Sequence, residues 1–193
     1  VGFDAAMEQQ KATARKSWAG SGDSGTSKIW FELFDKLGAT EFLGYRDVVS
    51  EGKILAIIKD GKEVDALKSG EEGFIIVNQT PFYAESGGQT GDTGVMMTAA
   101  GDAFSITDTK KQVGKLWVHI GKVTKGVMNL GEGVEQRVDT RRRASIQSNH
   151  SVTHLLHEAL RQTLGDHIAQ KGSLQDETRT RFDVSQPNPI TAE

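Results

Sequence analysis

The sequence contains no cysteine at all. This absence excludes disulfide bonds, and it also means that no thiolate of this chain can hold a zinc ion or act as a nucleophile. Any metal ion bound by these residues must therefore be held by histidine, carboxylate or water.

Long apolar runs and a strong charge of either sign are missing as well. There is no basic start followed by an apolar run, as in a signal peptide, and no stretch apolar enough for a membrane span. We therefore expect a cytoplasmic protein with no membrane partner, and, because the chain starts at Val1, a piece of a longer protein. The formal net charge of −3 gives no global attraction to nucleic acid, so RNA binding would depend on local patches.

The first part of the chain is expected to be helical. Residues 2–18 are rich in Ala, Glu, Gln, Lys and Arg, with apolar residues at helical spacing, which predicts one amphipathic helix. Residues 20–27 (GSGDSGTS) contain three glycines and predict a flexible linker. A short helix is expected at 29–37. We assign residues 1–37 to a helical segment with a Gly/Ser-rich linker.

A β domain is expected at about residues 38–139. Short apolar runs separated by turn residues are typical of the strands of a small barrel or sandwich. Such runs occur at 53–58, 73–77, 103–106, 115–120 and 133–138. Asp60–Gly61 is the strongest hairpin signal, because a two-residue turn of the primed type requires positive φ angles.

The last part, residues 140–193, is expected to begin with a helix from Thr140 to Leu164 that Gly165 caps. Beyond it, residues 167–170 and 178–184 are expected to pair as a hairpin, the second strand alternating in polarity. A helix and two strands are too few to bury a core, so this part is interpreted as the beginning of an incomplete domain. The fold class predicted for the whole chain is mainly β with flanking helices.

The predicted C-terminal helix contains the sequence NHSVTH, in which His150 and His154 are four residues apart. Side chains at this spacing project side by side, close enough for two imidazoles to reach one metal ion. On an ideal helix these histidines lie opposite the apolar side chains, which argues against a core role. Those apolar residues are Val152, Leu155, Leu156 and Ala159. The alternative is a polar face that meets only water, since the carboxylate of the metalloprotease motif is missing. No nearby residue completes a tetrahedron, so the sequence supplies half of a metal site.

Residues 81–94 (PFYAESGGQTGDTG), called here the glycine-rich loop, have four glycines within their last eight positions. Such a backbone can take positive φ angles and expose several N–H groups to a phosphate or a ribose. The loop matches neither a P-loop nor the dinucleotide-binding fingerprint. Tight turns between barrel strands remain an equally good interpretation.

Taken in order, four stretches of the sequence resemble the middle of bacterial alanyl-tRNA synthetases. They are GFDAAMEQQKATAR, PFYAESGGQTGDTG, NHSVTHLLHEALRQTLGDHIAQKGSL and TRFDVS, and the resemblance covers nearly the whole chain. It implies a translation-factor-type β-barrel followed by the opening helix and hairpin of an α+β editing domain. In this family the editing domain hydrolyses tRNA(Ala) wrongly charged with serine or glycine. The parent enzyme would attach alanine to tRNA(Ala) with ATP and magnesium in a ligase core outside this chain.

The resemblance also implies roles for residues of the C-terminal helix and hairpin. His150 and His154 would be zinc ligands, and the other two ligands would come from a Cys-x-x-x-His motif outside this chain. Thr153 and Gln170 would line the editing pocket. Thr153 would hydrogen-bond the hydroxyl of the wrongly attached amino acid, and Gln170 would help to position the ester or the attacking water.

Contacts to tRNA are implied for two further groups of residues. Gly87, Gly88 and Gln89 would face the acceptor end of tRNA(Ala), and Arg141, Arg142 and Arg143 would contact phosphates. An arginine run at a helix start is also typical of a solvated face. The other expected partners are further domains of the same parent chain.

Two alternatives to a synthetase fragment remain. A free-standing aminoacyl-tRNA editing hydrolase is disfavoured, because such proteins begin close to the barrel and lack the preceding helix. A non-catalytic barrel module that binds RNA or a protein partner would leave the histidines exposed and inert. With only half of a metal site, the isolated chain is expected to be inactive.

Overall fold

The computed structural model describes residues 24–186. The helix predicted over residues 2–18, most of the predicted linker, and the prolines near the C-terminus lie outside the described residues. The described elements, in chain order, are α1 (Ser24–Leu37), β1 (Glu41–Phe42), β2 (Val49–Lys59), β3 (Lys62–Val64), β4 (Ala66–Lys68), β5 (Glu72–Val77), β6 (Gln79–Thr80), β7 (Gly94–Thr98), β8 (Ala103–Gln112), β9 (Leu116–Lys125), β10 (Val127–Asn129), β11 (Gly133–Val138), α2 (Thr140–Leu164), β12 (Gln170–Gln175) and β13 (Thr180–Val184). Strands make up 47% of this structure, which confirms the predicted mainly β fold with flanking helices.

Six of the strands close into a barrel. They pair in the order β11, β7, β8, β9, β5 and β2, and a further pairing between β11 and β2 completes the ring. All of these pairings are antiparallel. Closure leaves these strands without a free edge that could pair with another chain.

The barrel strands β2 and β5 are apolar on both faces because helix α1 covers the outer one. Ile57 and Ile75 point into the barrel core, whereas Ile58 and Ile76 belong to a second cluster that packs against α1. Trp30 of α1 lies edge-on to Phe74, with ring centroids 5.7 Å apart. This two-sided burial explains why these strands are continuous apolar runs in the sequence.

The predicted strands are confirmed, although several extend further than their apolar runs. Asp60 and Gly61 form the predicted hairpin turn with φ angles of 51° and 74°, between the paired residues Lys59 and Lys62. Strand β7 and the short strands β1, β4, β6 and β10 were not predicted. Helix α1 begins at Ser24 rather than near residue 29, so the last residues of the predicted linker are helical.

The C-terminal helix has the predicted bounds. Helix α2 spans 25 residues, the side chain of Asp139 caps its start by accepting from the Arg142 amide, and Gly165 ends it with φ 112°. The predicted first strand at 167–170 was wrong, because β12 lies at Gln170–Gln175. Strands β12 and β13 form an antiparallel hairpin, with an irregularity after Gln170.

Helix α2 does not bury its apolar side in the described part of the chain. Val152, Leu155 and Leu156 are 51%, 70% and 39% exposed, whereas Ile146 and Thr153 are buried. The histidine side of the helix is thus the one that faces the hairpin and the barrel. No helix among residues 24–186 is long and apolar enough to span a membrane.

Candidate metal centre

The two histidines of the NHSVTH sequence stack on each other along α2. The ring centroids of His150 and His154 are 5.1 Å apart, and the ring planes differ by 21°. His150 is half-buried and His154 is exposed. The spacing in the sequence therefore produces a pair of parallel imidazoles that reaches solvent on one side.

His150 makes a hydrogen bond to the glycine-rich loop of the barrel. Its Nδ1–H donates to Oε1 of Gln89 at 2.9 Å. Gln89 is buried, only 6% exposed. A buried amide needs such a partner, and the bond leaves Nε2 as the ring nitrogen that keeps a lone pair.

The glycine-rich loop is held against β12 by backbone hydrogen bonds on both sides of Gln89. The Gln175 amide donates to the Gly88 carbonyl at 2.7 Å, and the Thr90 amide donates to the Gln175 carbonyl at 3.1 Å. Gly88 has φ +83°, and a Cβ there would lie 2.7 Å from the Ser173 carbonyl oxygen. Loop and hairpin can approach this closely only with glycine at position 88.

Two arginines of α2 contact the glycine-rich loop near both of its ends. The guanidinium of Arg143 forms a buried ion pair with Asp92 and donates to the Pro81 carbonyl at 2.5 Å. Arg142 donates to the Gly91 carbonyl at 2.7 Å, and its Nε lies 3.1 Å from a carboxylate oxygen of Glu177. Both side chains thus join the helix to the loop, and Arg141 alone of this run is exposed.

Thr153 lies at the centre of the contact between α2 and β12. Its hydroxyl donates to the Asn149 carbonyl at 3.0 Å and accepts from Nε2 of Gln175 at 3.1 Å. Thr153 is 2% exposed and Gln175 is fully buried. The amide oxygen of Gln175 is a buried polar atom without a hydrogen-bond partner in the described structure.

The remaining predicted site residues lie on the surface around this centre. Gly87 and Gln170 are exposed, and the Gln170 amide nitrogen donates to the Ser173 hydroxyl at 3.0 Å. His157, one turn beyond the pair, packs its ring on Phe182 with centroids 5.3 Å apart. Its Nε2–H donates to the Ile168 carbonyl at 3.4 Å. The ring of this third histidine is therefore already in contact with other residues of the chain.

The chemistry of the histidine pair suits a cation. Burial lowers the pKa of His150, and the neighbouring His154 lowers it further, which favours the neutral ring. Neutral imidazoles are ordinary zinc ligands. Within residues 24–186 no cluster of three or more His, Asp or Glu side chains could complete such a site. The described residues therefore fit a metal ion as two ligands.

The sequence did not predict the side-chain contacts that join the glycine-rich loop, α2 and β12. Gln89 and His150 are 61 positions apart, and their contact depends on how the loop docks on the helix. Gln175 has no local signal either, because it lies in a polar strand. Asp92 has no local signal for its ion pair, because its partner Arg143 is 51 positions away.

Comparison with known proteins identifies the family. A family model for class II (A) tRNA synthetases matches residues 1–142. The chain is 61% identical over 189 residues to an alanine–tRNA ligase of Rhodopseudomonas palustris, covering 98% of this chain and 21% of that protein. Alanine–tRNA ligases of Bradyrhizobium diazoefficiens and Parvibaculum lavamentivorans are 56% and 54% identical over 99% and 100% of this chain, and the chain spans 21% and 22% of their lengths. The chain thus belongs to the class II (A) tRNA synthetases and spans about a fifth of the length of the alanine–tRNA ligases that it matches.

Proposed function

We propose that this chain is part of an alanine–tRNA ligase and that α2, β12 and the glycine-rich loop form one wall of an editing site. This site would hydrolyse tRNA(Ala) mischarged with serine or glycine. The observation that carries the proposal is the stacked pair His150 and His154, with Nδ1 of His150 already hydrogen-bonded inside the fold. The attachment of alanine with ATP and magnesium would take place in a ligase core outside this chain.

Zinc is the proposed cofactor of this site. His150 and His154 would hold it as two of the roughly four protein ligands that a tetrahedral site uses. The other ligands would come from a Cys-x-x-x-His motif outside this chain. When bound, the ion would supply positive charge that polarises the ester or activates water.

Thr153 is proposed to recognise the wrongly attached amino acid. Its hydroxyl has one donor and two acceptor positions, and the contacts to Asn149 and Gln175 use the donor and one acceptor. One lone pair therefore remains to accept the hydroxyl of serine. A pocket that hydrogen-bonds a hydroxyl discriminates better than one that excludes by size alone.

Gln170 is proposed to position the ester or the attacking water. It is exposed at the start of β12. Its amide nitrogen donates to Ser173, which orients the amide oxygen for a further hydrogen bond.

The acceptor end of tRNA(Ala) is proposed to approach over the loop and the start of α2. Gly87 and Arg141 are exposed there, and an arginine can neutralise a phosphate. Gly88, Gln89 and Arg142 support this surface from beneath through their contacts with the hairpin and helix.

A zinc titration of this chain by calorimetry tests the metal assignment. We expect weak binding that His150→Ala and His154→Ala each abolish, because both imidazoles are needed and further ligands are missing. His157→Ala is the matched control and should bind like the wild type, since its ring contacts Phe182 and Ile168 instead. Tight binding that His157→Ala abolishes would contradict the proposed ligand pair.

Hydrolysis of serine-charged tRNA(Ala) by the full-length protein tests the editing role. We expect His154→Ala to lose this hydrolysis and to keep the attachment of alanine. Hydrolysis without any attachment of alanine would instead indicate a free-standing editing hydrolase. Unchanged hydrolysis in the variant would show that the reaction takes place elsewhere in the full-length protein, and would favour a non-catalytic barrel module for this chain.

A further inference from the structure

The contact between Gln89 and His150 joins two parts of the chain that have separate roles in the proposed function. Gln89 lies in the glycine-rich loop of the barrel, and His150 lies on α2 among the proposed zinc ligands. The Nδ1–H of His150 donates to Oε1 of Gln89 at 2.9 Å. The barrel therefore contributes a side chain to the metal centre.

We propose that Gln89 is a positioning residue, which holds His150 in its Nδ1–H tautomer and so keeps the Nε2 lone pair available to a cation. This inference rests on the proposed zinc site. A neutral imidazole protonates only one ring nitrogen, and the nitrogen that carries the proton cannot bind a metal. A hydrogen-bond acceptor at Nδ1 selects the ring form that binds through Nε2.

The orientation of the Gln89 amide decides the tautomer. With Oε1 towards His150, Nδ1 must carry the proton. With the amide nitrogen towards His150, Nδ1 would have to accept, the proton would move to Nε2, and the lone pair for the cation would be lost. The structure has the first of these arrangements.

The backbone of Gln89 is fixed on both sides, which keeps its side chain beside His150. Its own backbone exchanges hydrogen bonds with Ser86 at 3.0 and 3.1 Å. The residues on either side of it, Gly88 and Thr90, are both bound to Gln175 of β12. The side chain is only 6% exposed, so water offers little competition for the Nδ1 proton.

The tautomer of His150 is directly measurable in this chain without any metal, by long-range ¹H–¹⁵N NMR of the imidazole rings. We expect the Nδ1–H form in the wild type and a shift towards Nε2–H in Gln89→Leu, which cannot accept a hydrogen bond. Gln89→Glu should keep the Nδ1–H form, because a carboxylate only accepts. The ring of His157 is the internal control, since its Nε2–H donates to Ile168, and it should be unchanged in both variants.

A Zn²⁺ titration of the same three proteins gives the second readout. Loss of the hydrogen-bond partner of a metal-binding histidine weakens metal binding by roughly tenfold to a hundredfold. We expect this weaker binding in Gln89→Leu and not in Gln89→Glu. An Nε2–H tautomer in the wild type, or equal Zn²⁺ affinity of Gln89→Leu and wild type, would overturn the inference. If Gln89→Leu does not fold, the tautomer of His150 measured in the wild type tests the inference by itself.

The two readouts separate this inference from the proposed function. Zn²⁺ binding that depends on His150 but is indifferent to Gln89 would refute the role of Gln89 and leave the zinc site in place. An Nδ1–H tautomer that depends on Gln89, in a chain that binds no Zn²⁺, would support the fixing of the tautomer by Gln89 and refute the zinc site.

Discussion

Arg143 of α2 and Asp92 of the glycine-rich loop form an ion pair that is almost completely shielded from water, with side chains 7% and 1% exposed. Asp92 also accepts from the Tyr83 amide at 2.6 Å, and Arg143 donates to the Pro81 carbonyl. The pair therefore connects the helix that carries the histidines to both ends of the loop that carries Gln89. The placement of the histidine pair relative to the loop depends on this connection.

Breaking the ion pair should strongly destabilise the chain. We expect Arg143→Met or Asp92→Asn to lower the free energy of unfolding by about 3–5 kcal/mol, because each leaves a buried polar or charged group without its partner. The double variant should be clearly less destabilised than the sum of the two single changes, since neither unpaired charge remains. Urea unfolding of the four proteins measures this coupling. Additive effects would show that the two side chains do not act as a pair.

Gly88 and Gly87 provide a matched test of the close approach between loop and hairpin. Both have positive φ angles, +83° and +61°, but only at Gly88 would a Cβ meet other atoms, on Ser173 and Gln175. Gly87→Ala should cost only the backbone strain, about 1–2 kcal/mol. Gly88→Ala should cost more and should also displace Gln89.

The ¹H–¹⁵N resonances of His150 report that displacement. They should change in Gly88→Ala and stay near their wild-type positions in Gly87→Ala. Equal changes in the two variants would mean that strain in the loop, and not its contact with β12, positions Gln89.

His119 should make the barrel sensitive to mild acid. Its side chain is fully buried, and its Nδ1–H donates to the Ile75 carbonyl at 3.0 Å while Nε2 accepts from Thr80 at 2.8 Å. Burial lowers the pKa of His119 from 6.5 to about 4. Because the unfolded chain binds the proton first, the stability from this group is complete above pH 6.5 and is lost as the pH falls towards 4.

The total loss over this window should be about 3 kcal/mol. Urea unfolding at several pH values measures it, with His119→Gln as the comparison that cannot titrate. The pKa of His150 is also lowered, so this residue too should reduce stability as the pH falls. The His150→Ala variant should therefore be measured in the same series. A stability curve for His119→Gln as steep as that of the wild type would contradict the prediction.

Local sequence patterns predicted the helices and strands well wherever the buried residues recur at the spacing of a helix or a strand. The apolar runs of β2 and β5, the Asp60–Gly61 turn and the bounds of α2 all follow from side chains within a few positions of each other. Strand β7 was missed because it begins at Gly94, a residue type depleted in strands, and its apolar run is only three residues long. The position of β12 was not predicted, because most of its residues are polar and the part that is buried is covered by the glycine-rich loop.

The candidate site divides in the same way. The histidine pair is a feature of one helix, so its spacing predicted the parallel imidazoles. The bonds from Gln89 to His150 and from Gln175 to Thr153 join segments 61 and 22 positions apart. No periodicity within either segment encodes them, because they arise only when the loop docks on α2 and β12.

Two apolar residues of α2 should respond very differently to truncation. Ile146 is fully buried, so Ile146→Ala should lower the free energy of unfolding by about 2–5 kcal/mol through lost packing and a cavity. Leu155 is 70% exposed, so Leu155→Ala should change it by no more than about 0.5 kcal/mol. Urea unfolding at several protein concentrations measures both. A large effect of Leu155→Ala that grows with protein concentration would show that copies of this chain cover the exposed side of α2 in solution, and would contradict the solvated helix face described here.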